Sequence, residues 1–334
     1  MKNSNLTVVM YHYVRDLHFS RYPGIKGLDY KLFQEQISYL EKNYSFVTVE
    51  QVISAFVNDV ELPKNSVLLT FDDGYIDHFT HVFPLLHSKG IQGAFYPPVR
   101  AITENKILDV NKIHFILAST KDINQVLVAI KRLLDQYSKE YQLFSYEHYF
   151  QKLAVGNRYD TKEVIFIKRL LQVELTESLR IKITDELFKI VVNVNEGVFS
   201  RELYMSKEQL SCMIDNGMHV GSHGFNHDWL GSLSKVDQRT EIVKSLAFLE
   251  EIGVNINEWT ICFPYGDFNE DTIILLNEFK CSLGFSTKVG LVNINGDSDE
   301  KFKLARLDTN DLPKDKFAVV NKWLPTNIII DNTY

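Results

Sequence analysis

Apolar and polar positions along the chain follow two rhythms. Short apolar runs bounded by turn residues recur at 6–11, 67–71, 91–96, 218–221, 259–263, 281–286 and 302–307. Runs of this length, rich in Val, Ile, Leu and Phe, predict strands buried on both faces, as in a parallel sheet. Between them apolar residues return every three or four positions, as in Phe33, Ile37 and Leu40, in Phe79, Val82, Phe83 and Leu86, and in Ile242, Leu246 and Leu249. That period predicts helices with one face turned inward. Asp29 and Ser234 are expected N-caps, and Ser206 with Gln209 forms a capping box. Gly90, Gly217 and Gly253 stand where helices should stop.

Residues 103–200 break the alternation. Strand-like runs vanish, and three helical series take over: Ile123, Val126, Leu127, Ile130, Leu133 and Leu134; then Val164, Ile167, Leu170 and Leu171; then Leu187, Ile190 and Val191. The expected organisation is a strand–helix domain over 1–102 and 201–334, carrying a mostly helical insertion at 103–200. Strand–helix alternation specifies an α/β fold with a parallel sheet. The number of such units predicts a barrel rather than an open sheet. An insertion of this kind serves as a lid, a dimer surface through which copies oligomerise, or simple elaboration, and periodicity does not choose among them.

Composition narrows the function classes. A length of 334 residues with 45% hydrophobic and 24% charged residues is ordinary for a globular protein. The net charge of −7 supplies no electrostatic footprint for nucleic acid or for an anionic membrane surface. The three cysteines, Cys212, Cys262 and Cys281, lack the spacing of a zinc knuckle or a disulfide framework. No apolar stretch approaches the ~20 residues that span a bilayer. The polar first residues lead straight into a strand rather than resembling a signal peptide, so a cytoplasmic location is expected.

Candidate chemistry sits at three strand ends. Val67-Leu68-Leu69-Thr70-Phe71 runs into Asp72-Asp73-Gly74. Adjacent carboxylates at the end of a buried strand repel each other unless a cation relieves them. Strand ends are also where α/β folds carry their sites. A metal ion would take one Asp as a ligand and leave the other as a base; alternatively the three residues are only a polar turn. The second strand end is Gly221-Ser222-His223-Gly224-Phe225-Asn226-His227. Two imidazoles at this spacing reach one ion, and with Asp73 they complete a His₂-carboxylate set with open positions. Such a set suits Zn²⁺, and Co²⁺, Ni²⁺ or Fe²⁺ also fit it. The alternative is a chance pair among the ten histidines of the chain. The third is Phe263-Pro264-Tyr265-Gly266, a turn able to aim a backbone N–H at a developing oxyanion.

Taken together, these stretches resemble the polysaccharide deacetylases with a NodB homology domain, carbohydrate esterase family four. Thr70-Phe71-Asp72-Asp73-Gly74 reproduces that family's first motif, and His223 to His227 its second, His-(Ser/Thr)-x-x-His, except at Gly224. Pro264-Tyr265 matches part of the third, Arg-x-Pro-(Tyr/Phe), but Cys262 stands at the arginine. The likeness covers roughly residues 6–100 and 204–310. It implies a distorted (β/α) barrel, one divalent metal, and hydrolysis of an N-acetyl group on a sugar. It further implies that Asp73, His223 and His227 are the metal ligands, that Asp72 is the general base, and that the Tyr265 N–H receives the oxyanion.

Two family features are missing. No histidine follows His227 to act as the C-terminal acid, and the motif arginine is gone. Arg306 in the last strand-like run is expected to orient Asp72 instead. His12, at the end of the first strand, is expected to deliver the proton to the leaving amine. Tyr75 and Trp229, with Pro264, are candidate sugar contacts. With a cytoplasmic address, the sugar would be an intracellular precursor of a surface polysaccharide. Two other readings stand beside this one: hydrolysis of a different C–N bond, such as an N-formyl sugar or a ureide, and an inactive sugar- or partner-binding relic.

Overall fold

The structure is a computed structural model that describes residues 5–156, 160–295, 298–319 and 321–323. The chain divides into two compact units. The first comprises Met1–Asp16, Gly27–Glu104 and Arg201–Tyr334, and the second Leu17–Lys26 and Asn105–Ser200.

Seven parallel strands organise the first unit: β1 (Asn5–Tyr11), β2 (Ser66–Asp72), β3 (Gly93–Tyr96), β4 (His219–Val220), β5 (Thr260–Cys262), β6 (Leu283–Phe285) and β7 (Leu307–Asp308). Continuous ladders join β1 to β2, β2 to β3, β3 to β4, β5 to β6, and β7 back to β1. Single bridges, Ser222 with Ile261 and Phe285 with Leu304, carry the pairing across the two remaining gaps. The sheet is therefore a distorted barrel rather than one closed by unbroken ladders. The run at 302–307 gives only the Leu304 bridge and a two-residue strand, because Arg306 between them is bonded by its side chain to the interior. Val292–Asn293 adds an antiparallel edge to β1.

Every residue of β2 is buried, as a strand covered on both faces requires. Its alternation separates two apolar clusters. Val67, Leu69 and Phe71 pack with Val9, Tyr11, Phe33 and Phe95. Leu68 packs with Leu6, Val8, Ala94, Tyr96, Cys262 and Phe285. Asp72 shares the parity of Leu68 and Thr70, so strand geometry alone turns it toward Cys262 rather than toward the covering helices.

Helices α1 (Tyr30–Asn43), α2 (Val49–Asn58), α3 (Phe83–Ser88), α4 (Lys207–Asp215), α5 (Lys235–Glu251) and α6 (Glu270–Glu278) alternate with these strands. Asp29 caps α1 through Lys31 N, Ser206 and Gln209 make the reciprocal capping box of α4, and Ser234 caps α5. The helix expected at 77–88 starts with a π-turn, His78–Val82, before α3. That irregularity falls directly behind the Asp-Asp-Gly turn.

The second unit is helical. Ile123–Tyr141 buries Val126, Ile130, Leu133 and Leu134. Lys162–Arg169 passes into a π-turn at Leu170–Glu174. Glu177–Val191 turns Leu179, Ile183, Leu187 and Phe188 inward, whereas Ile190 is half exposed. Inside it Lys112 is buried among Asp109, Asp185 and Glu196. Among the described residues no helix is long and apolar enough to cross a membrane.

Candidate active site

Asp73 leaves β2 in the left-handed region, with φ at 71°, followed by Gly74 at 63°. A glycine at 74 is required for space as well: a Cβ there would lie 2.8 Å from the Pro97 side chain. The kink separates two carboxylates that a straight strand would send to opposite faces. Asp72 continues inward and Asp73 swings out to the end of the strand.

There it meets His223 and His227. Asp73 Oδ1 lies 3.3 Å from each Nε2, and the three atoms lie within 4.8 Å of one another. All three side chains are buried. His223 Nδ1–H donates to the Cys262 carbonyl at 2.7 Å, which turns its Nε2 toward the carboxylate. Asp73 Oδ2 accepts a hydrogen bond from the Tyr75 hydroxyl at 2.5 Å, whereas Oδ1 is buried with no hydrogen-bond partner. An orphaned anionic oxygen facing two imidazole nitrogens costs several kcal/mol unless a cation sits among them. One carboxylate and two imidazole nitrogens fit a divalent metal such as Zn²⁺, with coordination positions left for water and substrate.

Asp72 is held differently. Arg306 donates to both of its oxygens in a fork, Nη1 to Oδ1 and Nη2 to Oδ2, each at 2.9 Å. The remaining Arg306 donors reach the Ser286 carbonyl at 2.8 Å and Thr70 Oγ1 at 3.2 Å. Cys262 Sγ, at the position of the missing motif arginine, donates to Asp72 Oδ1 at 3.2 Å. Burial alone would raise the Asp72 carboxyl; the Arg306 guanidinium, with His223 and His12 behind it, outweighs this and holds it down at about 2. Arg306 thus places its guanidinium on Asp72 from β7's approach instead of from β5.

His12 follows β1, with Nε2 3.9 Å from Asp72 Oδ2 and a side chain 42% exposed. Its carbonyl accepts from His78 Nε2–H at 2.8 Å. Burial drives His78 down to about 4, so this ring is neutral and serves as a donor. Tyr265 has a left-handed φ of 59°, and its ring stands edge-on to His227 with centroids 4.8 Å apart. Trp229 stacks flat on Tyr265 at 4.2 Å. Both rings are partly exposed beside His227.

Two of the expected sugar contacts are corrected. Tyr75 is fully buried, with its ring stacked between Tyr13 and Tyr204 and its hydroxyl on Asp73. It braces Asp73 and presents no free face to a sugar. Pro264 is buried as well and shapes the turn. The structure also shows a residue the sequence reading passed over. Glu241 on α5 is 4% exposed and accepts from Phe225 N, Asn226 N and Asn226 Nδ2 in the loop that carries both histidines. Its only signal was the polar series Gln238, Glu241, Ser245, which by spacing looks like a solvated helix face yet is buried.

Comparison with known proteins agrees with this arrangement. Residues 173–283 match the polysaccharide deacetylase family model, a stretch that includes both histidines and the Pro264-Tyr265 turn. A 56-residue stretch is 41% identical to the poly-β-1,6-N-acetyl-D-glucosamine N-deacetylase of Escherichia coli (strain K12), covering 16% of this chain and 8% of that protein. The chain therefore spans under a tenth of the length of that relative. The fold is similar to that of the Streptococcus pyogenes deacetylase PplD, solved in complex with acetate, with a TM-score of 0.57 at 17% identity over 93% of this chain and 94% of that one. It is also similar to IcaB from Ammonifex degensii, with a TM-score of 0.52 at 19% identity over 92% and 93% of the two chains. With the first-motif residues 70–74 and the paired histidines meeting at one strand end, the chain is similar to the polysaccharide deacetylases over the stretch that the family model matches.

Proposed function

We propose that this protein hydrolyses the N-acetyl group of a sugar, using one divalent metal held by Asp73, His223 and His227. The observation that carries this reading is the buried, unpartnered Asp73 Oδ1 facing both Nε2 atoms, beside an Asp72 held by the Arg306 fork. When bound, the metal would supply Lewis acidity to the amide carbonyl and to a water molecule.

The chain's own groups account for the proton traffic. Asp72 takes a proton from the attacking water as the new C–O bond forms. Arg306 holds this carboxylate ionised and in place to accept that proton. The Tyr265 N–H is the proposed donor to the oxyanion. His12, exposed at the rim beside Asp72, gives its proton to the nitrogen as the C–N bond breaks, releasing acetate and the free amine. Trp229 and Tyr265 offer a stacked aromatic edge for a sugar ring.

Arg306 bears on the relic reading. The lost motif arginine is the strongest sign of inactivity in the sequence, and the Arg306 guanidinium, just before β7, puts a two-bond fork on the same carboxylate. The test is acetate release from N-acetylglucosamine oligomers by the zinc-loaded protein and by Asp72→Asn. A loss of ~10²-fold or more in the variant, with zinc content retained, is expected. Equal release by both proteins, or none by either, contradicts the proposal. Including nucleotide-linked N-acetyl sugars and N-formyl analogues in the panel separates a precursor substrate from a polymer, and deacetylation from cleavage of other C–N bonds.

A further inference from the structure

The loop between the two histidines is short and strained. Gly224 has φ at 74° and His227 at 66°, the latter a left-handed conformation that a side chain bearing Cβ adopts at a cost. The family motif places Ser or Thr where this chain has Gly224. Here a Cβ would come within 3.3 Å of Glu241 Oε2 in addition to meeting the backbone penalty. Something other than a side chain at 224 must hold the loop.

We infer that Glu241 is the positioning residue that sets the spacing of His223 and His227 for metal binding, an inference that rests on the metal-site reading above. Its Oε2 accepts the consecutive backbone N–H groups of Phe225 and Asn226 at 2.8 and 2.9 Å, and Oε1 accepts Asn226 Nδ2 at 2.7 Å. Three donors on one buried carboxylate are charge-assisted and roughly twice as strong as neutral pairs. The two bonded amides lie between the histidines, so the carboxylate fixes the turn from inside. On the outer side the Gly224 and Phe225 carbonyls accept from Val99 N and Arg100 N at 3.3 and 2.9 Å, and Ser222 Oγ accepts Gly224 N at 3.2 Å. Those bonds locate the loop, but none of them reaches the donors that Glu241 binds. Glu241 touches neither imidazole nor the proposed substrate rim; it acts through the backbone between the ligands.

The experiment is zinc affinity by competition with a chromogenic chelator, on the full chain, for the wild type, Glu241→Ala and Glu241→Gln, with thermal unfolding of each metal-free protein measured alongside. Removing a partner that orients metal ligands typically costs about 10–100-fold in affinity. Glu241→Ala is expected to fall in that range. Glu241→Gln keeps one acceptor without the charge and should lie between Ala and wild type. Raising free zinc should then restore acetate release by the variants. A folded Glu241→Ala protein that binds zinc within twofold of wild type overturns the inference. If the alanine variant does not fold, wild-type affinity in Glu241→Gln overturns it. A wild type that binds no stoichiometric zinc overturns the metal-site reading itself, a different failure.

Discussion

Asp72 and Asp73 are adjacent, chemically identical and given opposite work by their surroundings. Asp72 receives a guanidinium fork and a thiol; Asp73 receives a phenol on one oxygen and leaves the other bare before two imidazoles. On the proposed reading, environment separates a base from a ligand here. His12 completes the set, and because it is exposed its removal tests chemistry without disturbing the core. In His12→Ala, kcat for acetate release should fall by ~10²–10⁴ with zinc content and melting temperature unchanged. Turnover within a few-fold of wild type would remove His12 as the acid. Much of this residue-level picture was readable beforehand, because Asp-Asp-Gly after a buried strand and the paired histidines, each ambiguous alone, together resemble the motifs of one family. The Arg306 partnership was expected from the vacancy left by Cys262 and from the place of Arg306 in the last strand-like run, and the fork on Asp72 is what the structure shows. Tyr75 was misjudged, because a tyrosine three residues past a strand end gives no sign whether its ring or its hydroxyl faces the site. Glu241 was invisible because burial of a charged helix position depends on what packs over it.

Strands and the turns after them do the positioning. The alternation of β2 puts Asp72 on the interior parity with Leu68 and Thr70, and the left-handed residues Asp73 and Gly74 then break it. The strand that delivers His223 relies on a close approach at Gly221. A Cβ there would lie 2.5 Å from Tyr96 Cε1, 2.6 Å from Thr260 Oγ1 and 2.8 Å from the Thr260 carbonyl oxygen. Because backbone is among these atoms, the strand itself must move. Gly221→Ala should cost ~1–3 kcal/mol of stability through overpacking and weaken zinc binding through displacement of His223. Thermal denaturation and chelator competition read the two effects, and an unchanged zinc affinity would show that His223 does not depend on this contact. Apolar runs located β1 to β7, since burial on both faces leaves a continuous apolar stretch, but they gave no sign of the two-residue edges Ser45–Phe46 and Val292–Asn293. They gave the lengths poorly where the ladder is a single bridge, as at Leu304, because pairing there depends on a partner far along the chain.

For the whole molecule, the site draws on residues from the first strand to the last, His12 to Arg306, all within the first unit. A cation that binds only when these segments are together must stabilise the fold by mass action. Zinc at a hundredfold excess over its dissociation constant should add ~2.7 kcal/mol, so chelation should lower the melting temperature and zinc should restore it. The same titration on a His223→Ala, His227→Ala double variant should show no zinc-dependent shift; an undiminished shift would place the stabilising ion elsewhere. The division into two units followed from the change of rhythm near residue 103, but the transfer of Leu17–Lys26 to the helical unit did not, because a loop's packing partner leaves no periodic trace.

The most direct measurement is an anomalous-difference map of zinc-loaded crystals at the zinc absorption edge. One strong peak is expected at about 2.0–2.2 Å from a carboxylate oxygen of Asp73 and from the Nε2 atoms of His223 and His227, with Asp72 still bound to Arg306 and outside the coordination sphere. A peak away from these three residues, or one that takes Asp72 as a ligand in place of Asp73, would contradict the assignment of metal and base on which the proposed deacetylation depends.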